Sequence, residues 1–203
     1  MNDARIYLAS SSPRRRELLN QIGVRFELLP FRHTPRADAE VDETPLPGEA
    51  PLDYVIRLAR AKAAHGLVLI GKRHLPPRAV LAADTTLDLG GTIIGKPADE
   101  AEARRILLSL SGCSHRVLTA VALCDNRRIE HVLSSSEVRF RPLSMAEIDA
   151  YAATHEPLDK AGAYGIQGRA AIFVEEIRGS HSGIVGLPLC ETALLLRAFG
   201  YPV

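Results

Sequence analysis

The sequence predicts an α/β fold: a mixed β-sheet with flanking helices. Two observations carry this. Short apolar runs of strand length alternate with segments of helical periodicity, and a hairpin signal at Gly90-Gly91 stands among helical crossovers. Hairpins need antiparallel neighbours and crossovers need parallel ones, so the sheet is mixed. At 203 residues and 46% hydrophobic content, residues 1–203 suffice for a single domain with a full core, with room for two intimate lobes.

The elements follow in order. Tyr7–Ala9 reads as a strand and Ser10–Ser12 as a loop. A helix opens at Pro13, with Ser12 as its N-cap and Leu18, Leu19 and Ile22 as its buried face, and closes at Gly23. The stretch from Phe31 to Pro51, rich in proline and acidic residues, reads as a long functional or mobile loop. Leu52–Ala64 has helical periodicity. Val80–Ala83 is a short buried strand, and Thr85–Leu89 and Thr92–Ile94 flank the hairpin glycines. Asp99 and Glu102 have capping-box spacing for a helix ending near Gly112. Strands are expected at Arg116–Leu123, Ile129–Leu133 and Glu137–Phe140. Ser144 and Glu147 then start a helix running through Ala153. After a glycine-rich segment come a strand at Ile172–Ile177 and a last helix from Leu189 to Phe199, ended by Gly200.

Composition narrows the function. A net charge of +1 gives no global basic field, so no stable nucleic-acid partner is expected and any attraction for anions is local. Cys113, Cys124 and Cys190 are odd in number and lack C-x-x-C spacing, which argues against a disulfide framework or a cysteine zinc site. The seven histidines have no metal-binding spacing. No apolar run approaches a membrane span, and Met1–Ile6 carries no signal-peptide pattern, so a soluble cytoplasmic protein is expected.

Arg14, Arg15 and Arg16 occupy the first turn of the first helix, where the helix dipole disfavours cations. A helix N-terminus fed by a serine loop is an anion site, and guanidinium forks match phosphate oxygens. The arginines are therefore either solvated surface charge or part of a phosphate site. Lys62 falls on the apolar face shared by Val55, Leu58 and Ala59. It either snorkels to water or is held at a site. Asp84 ends the run AVLAAD, a place for a turn residue or for a base or metal ligand. GGTIIGKP matches the Walker A spacing through Lys96, but Pro97 replaces the magnesium-binding hydroxyl and the segment sits on a hairpin. The P-loop reading is rejected, and Lys96 stays a candidate phosphate contact. DKAGAYGIQG, residues 159–168, is either a structural loop or a close-approach loop in which Gln167 meets a planar base edge.

Together, LASSSPRRRELL, VDETPLPGE, RLARAKA, ADTT with GKP, SGCSHRVLTAVAL, EPLDKAGAYGIQG and GSHSGIVGLPL resemble the Maf-like nucleoside triphosphate pyrophosphatases, in family order and over nearly the whole chain. The resemblance implies a Maf/ITPase-like α/β fold with a deep nucleotide-binding cleft, and hydrolysis of a nucleotide to its monophosphate and pyrophosphate. It also implies a divalent cation (Mg2+, Mn2+ or Co2+), a cytoplasmic location and often a homodimer. By the same resemblance Asp84 is the general base and Glu43 the acidic loop residue, the two being the candidate metal ligands. Ser10, Arg15, Lys62 and Lys96 would bind phosphate. Arg14, Thr85 and Gln167 fall at the positions that sort the branches, and resemble the branch acting on dTTP and UTP. Departures from the family pattern are His181 in place of a frequent Tyr, the hairpin TLDLGG, and a longer loop at Phe31–Glu40. Two other readings remain: a non-catalytic nucleotide or nucleic-acid binding module acting in cell-division control, which uses the same arginines but has no need of Asp84 and Glu43, and a nucleotidyltransferase with an acceptor other than water.

Overall fold

The computed structural model describes residues 5–31 and 41–203. Residues 32–40, part of the long acidic and proline-rich loop, lie outside the described residues, as do residues 1–4. Strand β1 (Ile6–Leu8) leads into helix α1 (Pro13–Gln21), then β2 (Phe26–Leu28), α2 (Pro51–Lys72), β3 (Val80–Leu89) and β4 (Thr92–Ile94). Helix α3 (Glu100–Leu110), β5 (Ser114–Cys124), β6 (Ile129–Phe140) and α4 (Met145–Ala152) follow. Short 3-10 turns at Glu156–Asp159, Ala161–Ala163 and Arg169–Phe173 precede β7 (Val174–Arg178), α5 (His181–Val185) and α6 (Leu189–Ala198). Among the described residues, no helix is long and apolar enough to cross a membrane.

The sheet is mixed, in the order β2-β1-β3-β5-β6-β7, with β4 also on β3. β1 runs parallel to β2 and β3, and every other pairing is antiparallel. The edge of β3 decides where a cleft can form. β1 pairs with it only at Val80 and Leu81, whereas β4 takes the same edge from Leu87 onward. Between these, β1 has turned away into the serine loop, and Asp84 and Thr85 stand beside the gap. The sequence-based expectation that the strand ends at Asp84 is therefore corrected. β3 runs on to Leu89, because β5 pairs with it continuously from Val80 to Asp88.

Strand alternation then sorts the side chains. Tyr7, Val80, Ala82, Ala120 and Ala122 pack under α2 with Val55, Ala59 and Ala63. Leu8, Leu81, Ala83, Val121 and Leu123 pack under α1 and α6 with Leu18, Leu19, Leu195 and Leu196. A third cluster gathers α3 and α4 with Leu87, Val117, Phe140, Tyr164 and Phe173 beyond the gap.

Several boundaries differ from expectation. α2 continues past Ala64 to Lys72, because Leu69 and Ile70 carry its buried face another two turns. The two strands expected at Ile129–Leu133 and Glu137–Phe140 are one, β6. Of the intervening serines, Ser134 and Ser136 are buried and face α5, with Ser136 Oγ accepting from the Ser180 amide at 2.9 Å. β7 starts at Val174 because Arg169–Phe173 is a 3-10 turn. The Ser144–Glu147 capping box is complete, whereas Glu102 reaches past Asp99 to accept from the Ala98 amide. β2 and α5 have no counterpart in the sequence reading: both are too short for periodicity to register.

Candidate active site

A cavity of about 1050 Å3 opens at the gap in the β3 edge. It is lined by Ser10, Arg14, Arg15, Glu43, Lys62, Asp84, Thr85, Lys96 and Gln167, so every site residue expected from the sequence reaches one cavity.

Asp84 has the parity of Val80 and Ala82 and so points toward α2, where Lys62 lies one turn beyond Leu58. Lys62 Nζ donates to Asp84 Oδ1 at 2.7 Å and lies 2.7 Å from Glu43 Oε1. Of the two readings of Lys62, held at a site or snorkelling to water, the geometry supports the first: its side chain is 15% exposed. Glu43 is held to α2 through its neighbours. Tyr54 donates its hydroxyl to the Glu43 carbonyl at 3.0 Å, and burial, with Asp84 and Glu43 nearby, pushes that phenol up to about 12. Arg57 donates to both carboxylate oxygens of Glu49, at 2.6 and 2.7 Å, and to the Thr44 carbonyl. The two Arg57 hydrogen bonds draw Glu49 down to about 2.

Thr85 has the opposite parity and faces α1. Arg15 Nη2 donates to Thr85 Oγ1 at 3.1 Å, and Arg15 Nε donates to the Gly186 carbonyl at 2.8 Å. Burial lowers the Arg15 pKa and Asp84 works against that shift. Ser12 caps α1 through the Arg15 amide, and Ser10 Oγ accepts from the Ser12 amide at 3.2 Å. The misplaced charge of the helix N-terminus has a partial answer across the cavity: Arg14 Nη1 lies 3.6 Å from Asp159 Oδ2.

Asp159 belongs to the opposite wall, which sequence reasoning quoted as a segment without singling out its acids. Lys160 Nζ donates to the Glu156 carbonyl at 2.6 Å and to Asp159 Oδ1 at 2.5 Å. Glu156 accepts from the Tyr151 hydroxyl and the Arg169 amide. A Cβ at Gly168 would fall 1.9 Å from Glu156 Oε1, which explains the glycine beside Gln167. Burial desolvates Tyr164 and raises its pKa; its hydroxyl meets His115 Nε2 at 2.8 Å behind this wall. The signal that could have found Glu156 and Asp159 was their spacing around the glycines.

The residues from 5 to 199 match the family model described as Maf-like protein. The chain belongs to that family. It is 65% identical over 201 residues to the dTTP/UTP pyrophosphatase of Aromatoleum aromaticum, covering 98% of each chain. It is 59% identical over 197 residues to the dTTP/UTP pyrophosphatase of Dechloromonas aromatica, covering 97% of this chain and 98% of the other. Among solved structures it resembles the Ham1 protein of Staphylococcus aureus, with a TM-score of 0.50 at 13% identity over 97% of this chain and 98% of that one. The latter likeness concerns the fold alone. Membership in the Maf-like family accords with the cleft, since the residues around the β3 gap are those on which the resemblance rests.

No group of three or more His, Cys, Asp or Glu able to hold a metal occurs among the described residues. The carboxylates of Asp84 and Glu43 nevertheless share one cation, the Lys62 ammonium. Two carboxylates with room for substrate oxygens suit magnesium, which is commonly held by one or two carboxylates together with phosphates and water. The donor set fits a hard divalent ion.

Proposed function

We propose that the protein hydrolyses dTTP and UTP, and related modified pyrimidine nucleotides, to the monophosphate and pyrophosphate. The observation that carries this reading is the meeting of Asp84 and Glu43 on one cation inside a cavity ringed by Arg14, Arg15, Lys62 and Lys96. The names of the similar pyrophosphatases support the substrate, and a cytoplasmic site of action and a homodimer accord with the family resemblance. A binding module would need the arginines but not two acids opposite them.

Phosphoryl transfer asks for positioning and charge neutralisation more than for covalent chemistry by the protein. Arg15, Lys62, Lys96 and the amides of the serine loop hold the triphosphate and leave its α-phosphorus facing Asp84. Asp84 orients a water and takes its proton as the oxygen attacks, and pyrophosphate departs. Asp84 and Glu43 would hold a Mg2+, Mn2+ or Co2+ ion, which would supply charge neutralisation at the phosphate oxygens. Lys62 has a third N–H beyond those directed at the two carboxylates and would donate it to phosphate. Arg14, Thr85 and Gln167 select the base and sugar.

A coupled assay for pyrophosphate, run with dTTP and UTP and Mg2+ and repeated with chelator, tests the proposal. Pyrophosphate in equal amount to monophosphate, abolished by chelation, is expected. Orthophosphate as the first product would refute the bond assignment.

A further inference from the structure

We infer that Thr119, buried behind the cavity, is a positioning residue that fixes what Thr85 can offer a nucleotide and where Arg15 points. The inference rests on the proposed pyrophosphatase reading for the ligand, while its structural core stands on hydrogen-bond direction alone.

Thr119 is directly opposite Thr85 in the β3–β5 register, and it is fully buried. Its Oγ1 lies 2.8 Å from the Gly183 carbonyl and 3.0 Å from Thr85 Oγ1. A carbonyl can only accept, and a threonine hydroxyl has a single proton. Thr119 therefore donates to Gly183, and the Thr85–Thr119 bond must be made with the proton of Thr85. Thr85 also accepts from Arg15 Nη2. Arg15 Nε donates to the Gly186 carbonyl, and the Gly186 amide returns to the Gly183 carbonyl at 3.0 Å. The result is a closed ring through Arg15, Thr85, Thr119, Gly183 and Gly186 in which each side-chain proton has one assignment, while the Gly186 amide is shared with the Ser182 carbonyl at 3.1 Å. Gly186 sits at φ 125°, a conformation open to glycine and closed to most side chains, so the ring depends on the turn after α5 as well.

Two consequences follow. Arg15 spends its Nε–H and one Nη2–H on the ring and presents the remaining fork, three N–H groups, to phosphate. Thr85 has no proton left for the cavity and presents only a lone pair. A lone pair suits the N3–H of thymine or uracil and opposes the N3 lone pair of cytosine. Thr119 never touches substrate, yet it decides that polarity.

The test is Thr119→Val, which removes the hydroxyl at constant volume, beside Thr119→Ser, which keeps it. In Thr119→Val the freed Thr85 hydroxyl can donate, so the preference in kcat/KM for dTTP over dCTP should narrow by about fivefold, the worth of one hydrogen bond. The Arg15 Nε–H signal in a 1H–15N spectrum, assigned by its loss in Arg15→Lys, should exchange with water about tenfold faster. Thr119→Ser should restore both. If Thr119→Val does not fold, Thr85→Val opens the ring from the cavity side and should give the same acceleration of Arg15 exchange. Unchanged selectivity and exchange in Thr119→Val, or a Thr119→Ser protein that behaves like it, overturns the inference. A wild type that splits no triphosphate defeats the pyrophosphatase reading, and the Arg15 signal still decides the ring.

Discussion

The Lys62 ammonium and the Asp84 carboxylate meet at 2.7 Å, with both side chains mostly buried at 15% and 11% exposure. On the apolar stripe alone, Lys62→Met would be neutral or stabilising. The pair reverses that expectation, because methionine leaves Asp84 buried without its cation and opposite Glu43. The variant should lose roughly 3 kcal/mol of stability without divalent ions, and Mn2+ should return more stability to it than to the wild type. Urea unfolding with and without Mn2+ measures both. A metal-free variant as stable as the wild type would show that the pair contributes nothing net.

Asp84→Asn keeps volume and hydrogen bonding but can neither accept a proton nor carry charge. Its kcat should fall by ~10² or more with the fold intact, in keeping with the usual worth of a general base. Circular dichroism and steady-state kinetics on the same preparation check this. Near-normal turnover in a folded variant would remove Asp84 from both of its roles.

Gln167 stands on the cavity wall with an amide that can donate to the ring carbonyl O4, which cytosine replaces with an amino group. The wild type should prefer dTTP and UTP over dCTP and GTP, since each mismatched polar group costs ~1–3 kcal/mol. Gln167→Glu should change that ranking by removing the donor. A panel of the four triphosphates on both proteins provides the comparison, and an unchanged ranking would eliminate Gln167 as the reader of the base.

His115 supplies a pH prediction. It packs edge-on against Phe140 and Tyr164, and burial pulls its pKa down from 6.5 to about 4. The unfolded chain takes up a proton that the folded chain refuses, so stability is full above pH 6.5 and declines as pH falls toward 4. Between pH 7 and pH 5 the loss should be roughly 2 kcal/mol. Glu49 and Glu147, both near 2 when folded, titrate below this window. His115→Gln keeps hydrogen bonding to Tyr164 without titrating and should flatten the slope seen by urea unfolding at the two pH values. A slope as steep as that of the wild type would contradict the assignment.

The residues that make the cavity were legible because their chemistry conflicts with local expectation: arginines at a helix N-terminus, a lysine on an apolar face, an acid following buried alanines. What they touch was not. That Lys62 bridges Asp84 and Glu43 depends on the parity of β3 and on how α2 lies across the sheet, neither of which leaves a local mark. Thr119 gave no signal, being one polar residue in a strand whose neighbours are apolar. The serines of β6 read as a break because small hydroxyl residues favour turns, yet Ser134 and Ser136 make room for α5. The alternation of helix and strand carried the fold class, while the early departure of β1 from β3, which opens the cavity, is a tertiary event with no local mark.

Attack of water at the α-phosphorus can be read directly from where solvent oxygen goes. Hydrolysis of dTTP in 18O-labelled water with Mg2+, followed by mass spectrometry of both products, should place one heavy oxygen in dTMP and none in pyrophosphate. Label in the pyrophosphate, or in orthophosphate released with dTDP, would show attack at the β- or γ-phosphorus and contradict the proposed role of Asp84.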